Sequence, residues 1–329
     1  MKNNKNRKLA VYVVTYNRAE LLRETIESIL SQTYSAFDLF VLDNCSTDRT
    51  EEMVAAIDDS RLHYVRHETN IGGLGNINYA IRACSAEYFV IFHDDDVMLP
   101  SFLQKEIDIM EREKGVIAVG GNAEIIGKRT APQLFDYDDK RFFRGGEFLL
   151  RYLKTGDTLI FPSIMYRNDF LKRNQLEMRT EPGPCADLVL LADIERYGGT
   201  ICQLPDVIMK YRIHDGQDTV RNYYSMHIKL FKFLGSDAYY KQVFLSEERG
   251  REQKYDSFSK GIIRDWIYSD LQEGEAMNCL EDLKSSLKIR VTGKWHRLMK
   301  VLTKHALLKR LFLAAMQVRA QSRKQNENS

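Results

Sequence analysis

Two hydrophobic periods alternate through the first hundred residues, and that alternation limits the fold more than any other feature of the chain. "LAVYVVTYN" is a β-branched and aromatic run ending in polar turn residues, and "RAELLRETIESILSQ" then sets Leu21, Leu22, Thr25, Ile26, Ile29 and Leu30 at helical spacing. The unit recurs. "FDLFVLDN" predicts a second buried strand, "CSTDRT" a turn, and "TEEMVAAIDD" a helix with acids in its first turn. "RLHYVRHE" predicts a third strand, "NIGGLGN" a glycine-rich loop, "INYAIRACS" a helix, and "YFVIF" a fourth strand. Strands that alternate with helices predict an α/β fold whose sheet is mostly parallel and covered on both faces.

Open sheets of this kind bind ligands beyond the carboxyl ends of their strands. Each polar cluster here follows a strand: Thr15 to Arg18, Asp43 to Asp48, Asn70 to Asn78, and Asp94 to Asp96. The pattern therefore predicts one crevice lined by four loops. The last cluster is the most demanding, because "YFVIFHDDDVMLP" drives an apolar strand into three consecutive aspartates. Adjacent carboxylates at a buried strand end repel one another and lose hydration, so a cation or donor groups must neutralise them. Hard divalent ions such as Mg2+ and Mn2+ take oxygen ligands and bridge to phosphates, so the predicted occupant is a cation holding a diphosphate. The competing reading is a solvated turn in which Asp94 or Asp96 caps the next helix.

These segments, in this order, carry a resemblance. "VVTYNRAELLRETIESILSQTY", "VLDNCSTDRT", "NIGGLGNINYAI" and "HDDDVMLP" resemble the successive motifs of the family 2 glycosyltransferases, inverting enzymes of the GT-A fold that include bacterial surface-polysaccharide enzymes. By register against "MLP", the resemblance implies Asp95 as metal ligand and Asp94 as the ribose contact, with Asp96 an alternative ligand. It departs from the family at His93, where many members carry an acid. Asp43 is implied to accept the imide N–H of uracil or thymine. Thr15, Tyr16, Asn17 and Arg18 form the first loop, where backbone N–H groups favour phosphate, Tyr16 can stack on a base and Arg18 can pair with phosphate. Asn70 and Asn78 match asparagines flanking the glycine loop.

Farther along, "PGPCADLVLLADIERYGG" places a carboxylate at the start of a predicted amphipathic helix. It resembles the family's acidic motif and implies Asp187 as general base, with Ala186 standing where an acid is usual; read alone, Asp187 is a helix cap. "YRIHDGQDT" resembles a segment whose histidine reaches the metal or diphosphate, implying His214. "FPSIMYRNDF" resembles a segment near the acceptor, with no chemistry assigned. "GVIAVGGNAEIIG" predicts a strand pair or hairpin, and residues 128–144 carry no clear element.

Composition bounds the rest. A net charge of +2 over 329 residues predicts no nucleic-acid partner for the whole chain. The five cysteines are scattered without a CxxC pair, which fits a reducing cytoplasm and argues against a disulfide framework or zinc site. No apolar run has the length of a membrane span or of a signal-peptide core. From Lys288 to Ser329, however, eleven Lys and Arg stand against the single acid Glu327. Trp295, Leu298, Met299, Leu302 and Ala306 share one helical face there, opposite Lys294, Arg297, Lys300 and Lys304. Such a helix fits an anionic membrane surface or the surface of its own catalytic domain.

The expected organisation is a GT-A domain over residues 1–215 and a helical, basic region over 216–329. The expected activity is metal-dependent transfer of a sugar from a nucleotide-diphospho-sugar, UDP- or dTDP-linked, to a hydroxyl of a glycan or lipid-linked glycan. Two rivals remain: a sugar-phosphate nucleotidyltransferase, whose glycine-rich N-terminal loop "VVTYNRAE" lacks, and a non-catalytic nucleotide-sugar-binding scaffold.

Overall fold

The computed structural model describes residues 8–128, 130–135, 138–214, 229–230 and 233–245. The predicted basic helix around Trp295 lies outside these residues. The chain divides into two compact units, one of residues 1–152, 157–180 and 186–221, the other of residues 153–156, 181–185 and 222–329. What is described of the second unit includes the turn Gly183–Cys185 and a short helix, Ala238–Leu245, with Leu230, Leu234 and Tyr240 buried.

The first unit is built on one sheet. Strands β1 (Leu9–Thr15), β2 (Phe37–Asp43), β3 (Leu62–Arg66) and β4 (Tyr88–His93) alternate with helices α1 (Ala19–Leu30), α2 (Thr50–Ala55) and α3 (Gly73–Ala83). Their order is β3-β2-β1-β4, all parallel. The chain runs outward from β1 to β2 and β3 on one side and then crosses back to lay β4 on the other side of β1, which opens a crevice at the carboxyl ends of β1 and β4. Leu9, Val11, Val13, Val90 and Phe92 pack on one face against Leu22, Ile26 and Ile29 of α1 and against Phe102, Leu103 and Ile107 of α4 (Phe102–Arg112). On the other face Tyr12 stacks on Phe40 and Phe40 on His63, and α3 packs on β1.

Beyond β4 the sheet becomes mixed: β8 (Ile164–Arg167) runs antiparallel to β4 and β6 (Val116–Gly127), and β9 (Thr200–Ile213) runs parallel to β6. Two short strands, β5 (Val97–Met98) and β7 (Arg141–Phe143), pair antiparallel with β9. Helices α5 (Glu147–Thr155), α6 (Asn168–Arg173) and α7 (Ala186–Arg196) complete this half.

Three local expectations need correction. The "GVIAVGGNAEIIG" stretch is a single twelve-residue strand, β6, and not a hairpin. Gly120 and Gly121 sit where its register with β9 shifts, and a Cβ on Gly121 would lie 2.7 Å from Ile208 Cδ1, so glycine here allows close approach and no reversal. The glycine loop is shorter than its composition predicts: α3 already begins at Gly73, because Gly72, at φ +77°, makes the turn and its carbonyl accepts the Asn76 N–H at 3.0 Å. Helix α7 is buried on nearly all sides, with Ala186 and Leu188 to Glu195 all inside, so it is a core helix and not an amphipathic one.

Candidate active site

The strand ends meet in register: Thr15 stands opposite Asp43, Asp43 opposite Arg66, and Val14 opposite His93. Short polar side chains then tie the loops together. Asn17 adopts a left-handed conformation at φ 54°, which asparagine tolerates. Its backbone N–H donates to Ser46 Oγ at 2.9 Å, and its side-chain oxygen accepts the Thr47 N–H at 2.7 Å. Asp48 accepts from the backbone N–H groups of Ala19 and Thr50, serving the starts of α1 and α2 together.

Asp43 is fully buried at the end of β2. Its Oδ1 accepts from Ser46 N–H at 2.9 Å and Ser46 Oγ at 2.5 Å, and its Oδ2 accepts from Tyr64 Oη at 2.5 Å, with Arg66 Nε 3.7 Å away. Neutral donors and one flanking cation thus hold the carboxylate in a fixed orientation. Asn70 Oδ1 accepts from Asn44 Nδ2 at 3.0 Å and from the Gly72 N–H, fixing the loop before α3. Asn78 does a different job: its amide donates to the Met178 carbonyl and accepts the Met178 N–H, clamping a distant backbone segment. Tyr16, in contrast, is 45% exposed and offers a bare ring at the crevice edge.

The acidic turn after β4 is the electrostatic centre. Asp94, Asp95 and Asp96 are all buried. Thr15 Oγ1 donates to Asp94 Oδ2 at 2.7 Å, bridging β1 and β4 across the opening between them. Arg18 Nη1 lies 3.0 Å from Asp94 Oδ1 and 2.9 Å from Asp95 Oδ2, and His214 Nε2 lies 2.8 Å from the same Asp95 oxygen. The pairing of β5 with β9, Val97 opposite Lys210, carries the end of β9 over this turn. Arg212 N–H donates to Asp96 Oδ1 at 2.9 Å, and its Nε donates to the Asp95 carbonyl at 2.8 Å.

These partners split the three carboxyls. Burial raises Asp94 above the ordinary carboxylate value in spite of Arg18 and Thr15. Burial also opposes ionisation of Asp95, yet His93, the His214 hydrogen bond and Arg18 hold it below that value. Asp96 is pushed well above it by burial and by the charge of Asp95. Among the described residues its Oδ2 finds no hydrogen-bond donor. A buried carboxylate oxygen without a donor is costly, and oxygen donors of this kind suit a divalent cation, so the residues present fit such an ion.

Asp187 is the second residue of α7 and half-buried, and the backbone N–H groups of Asp187 and Leu188 favour its ionised form. It stands inside the first turn of the helix and not at the flanking cap position. Burial nevertheless pushes its carboxyl up to about 6. The structure thus joins Thr15, Arg18, Asp94, Asp95 and His214 by direct contacts and sets Asp96 beside them. Ser46, Tyr64 and Arg212 were missed. Arg212 lies two residues before His214, so alternation along a strand puts both on one side. Ser46 stands three residues after Asp43, so the turn spacing itself was a usable signal, whereas Tyr64 meets Asp43 only through the register of β2 with β3.

An open α/β sheet with an acidic crevice at its switch point is the GT-A architecture. Residues 10–178 match the model of Glycosyl transferase family 2, and the chain belongs to that family. An uncharacterized glycosyltransferase of Haemophilus influenzae is 24% identical over 220 residues, 64% of this chain and 66% of that protein. The chain thus spans just under two thirds of this relative. An Escherichia coli protein named UDP-Glc:alpha-D-GlcNAc-diphosphoundecaprenol beta-1,3-glucosyltransferase WfgD is 28% identical over 135 residues, 40% of this chain and 53% of its own. The S. aureus TarS 1–349 structure in complex with UDP-GlcNAc superposes with a TM-score of 0.65 at 18% identity, covering 85% of this chain and 81% of that one. Among the described residues no helix is long and apolar enough to cross a membrane.

Proposed function

We propose that the chain is an inverting, metal-dependent glycosyltransferase that moves a sugar from a UDP- or dTDP-linked donor to a hydroxyl of a glycan or lipid-linked glycan in polysaccharide synthesis. The observation that carries this reading is the network Thr15–Asp94–Arg18–Asp95–His214 at the mouth of β1 and β4, beside the undonated Asp96 oxygen. Tyr16 stacks on the base, and Asp43, oriented by Ser46 and Tyr64, accepts its imide N–H. Asp94 takes the ribose, Asn70 shapes the adjoining loop, and Arg18 turns to the diphosphate. Asp95, Asp96 and His214 would hold Mn2+ or Mg2+, and the ion would offset negative charge on the diphosphate leaving group. Asp187, ionised at neutral pH with a pKa of about 6, takes the acceptor proton.

The names of the relatives support the same direction, since one is named for a UDP-sugar and a diphosphoundecaprenol acceptor and another was solved with UDP-GlcNAc. We place the transferase domain at residues 1–215 and a basic region at 216–329 that lies against an anionic membrane surface on the cytoplasmic side. The test of the base reading is calorimetric titration of UDP, dTDP, GDP and CDP in the presence of Mn2+. UDP or dTDP should bind at least about tenfold more tightly than CDP, because a carboxylate offers no donor to the cytosine N3. Equal binding of all four contradicts the role of Asp43.

A further inference from the structure

We infer that the crevice holds its cation through a mixed donor set, Nδ1 of His93 with the carboxylates of Asp95 and Asp96, and that the nitrogen donor shifts the site from magnesium toward manganese, cobalt and zinc. This rests on the metal-dependent reading above and goes beyond it in naming His93 as a ligand and the class of ion it selects.

Three observations converge. Donor atoms of His93, Asp95 and Asp96 all lie within 4.8 Å of one another, a grouping of three that the described residues offer here. Asp96 is 1% exposed and its Oδ1 is taken by the Arg212 N–H, while Oδ2 accepts no hydrogen bond and faces His93 Nδ1 at 4.0 Å. That separation is too long for a hydrogen bond. It does fit two donors on one ion: ligands each about 2.1 Å from a metal stand about 3.0 Å apart at a right angle and about 4.2 Å apart in line. The His93 ring is also held in place. It ends β4 opposite Val14 and lies against Phe161, ring centroids 5.5 Å apart, with its side chain 35% exposed.

The chemistry follows from the donor atoms. Magnesium demands oxygen ligands and near-ideal octahedral geometry, whereas imidazole suits later first-row ions. With an acid at position 93, His214 would be the single nitrogen donor of the set. A histidine there leaves one oxygen fewer and adds a neutral nitrogen, which costs magnesium more than it costs manganese, cobalt or zinc.

The experiment uses the full chain with Mn2+ alone and reads nitrogen coupling to the bound ion by electron spin echo envelope modulation, together with Mn2+ and Mg2+ affinities by calorimetry. His214 is removed as a rival nitrogen source by His214→Gln. In that variant the imidazole coupling should persist, and in His214→Gln combined with His93→Asp it should vanish while Mn2+ still binds. His93→Asp alone should lower the Mn2+-over-Mg2+ affinity ratio about tenfold. Bound Mn2+ without nitrogen coupling in His214→Gln, or an unchanged affinity ratio in His93→Asp, overturns the role of His93 and leaves the transferase reading intact. A wild-type chain that binds Mn2+ neither alone nor with UDP removes both.

Discussion

At Asp187 two local effects oppose each other. Burial favours the neutral carboxyl and outweighs the backbone N–H groups of the first turn of α7, which favour the ionised form, giving a pKa of about 6. A general base must be unprotonated, so turnover should rise through about pH 6 and fall about tenfold for each pH unit below it. Asp187→Asn should slow turnover about a hundred- to ten-thousandfold while UDP affinity stays the same. Kinetics of UDP release beside UDP calorimetry measure both, and an active Asp187→Asn enzyme would contradict the assignment. Residue identities made Asp187 legible in the sequence only as a choice between base and cap; the structure sets it inside the first turn of α7, past the cap position.

At the scale of elements, α4 carries an unexpected burden. Its buried face holds Phe102, Leu103, Ile107 and Met110, yet Glu106 lies among them with no exposure and neither carboxylate oxygen accepts a hydrogen bond. Burial raises this carboxyl well above its ordinary value. The unfolded chain ionises it above about pH 4.3, so the stability it allows is intact below that pH and lost as pH rises toward the folded pKa, about 1.4 kcal/mol per unit. Glu106→Gln escapes this loss, and its Tm advantage over wild type should grow between about pH 5 and about pH 8. A Tm difference independent of pH would contradict the account. The apolar spacing of "SFLQKEIDIMERE" fits the helix α4, but no local pattern marks a buried acid, because burial is decided by what the helix meets.

For the whole molecule, the parallel half was legible because each strand, turn and helix is short and carries its own period, and because polar clusters at strand ends fall on one edge of such a sheet. The mixed half was not. Strands β6, β8 and β9 pair through contacts distant in sequence, and the bond from His214 to Asp95 spans 119 positions. The resemblance of "YRIHDGQDT" to a family segment reached His214 where spacing alone did not. The two halves meet at the acidic turn, where β4 supplies the carboxylates and the end of β9 supplies Arg212 and His214. The account predicts that this junction binds a cation and a nucleotide diphosphate as one unit. The most direct measurement is calorimetric titration of UDP into the wild-type chain and into folded Asp95→Asn, each with and without Mn2+. The account predicts UDP binding that requires Mn2+ in the wild type and is lost in Asp95→Asn; UDP binding that ignores both the ion and Asp95 would contradict it.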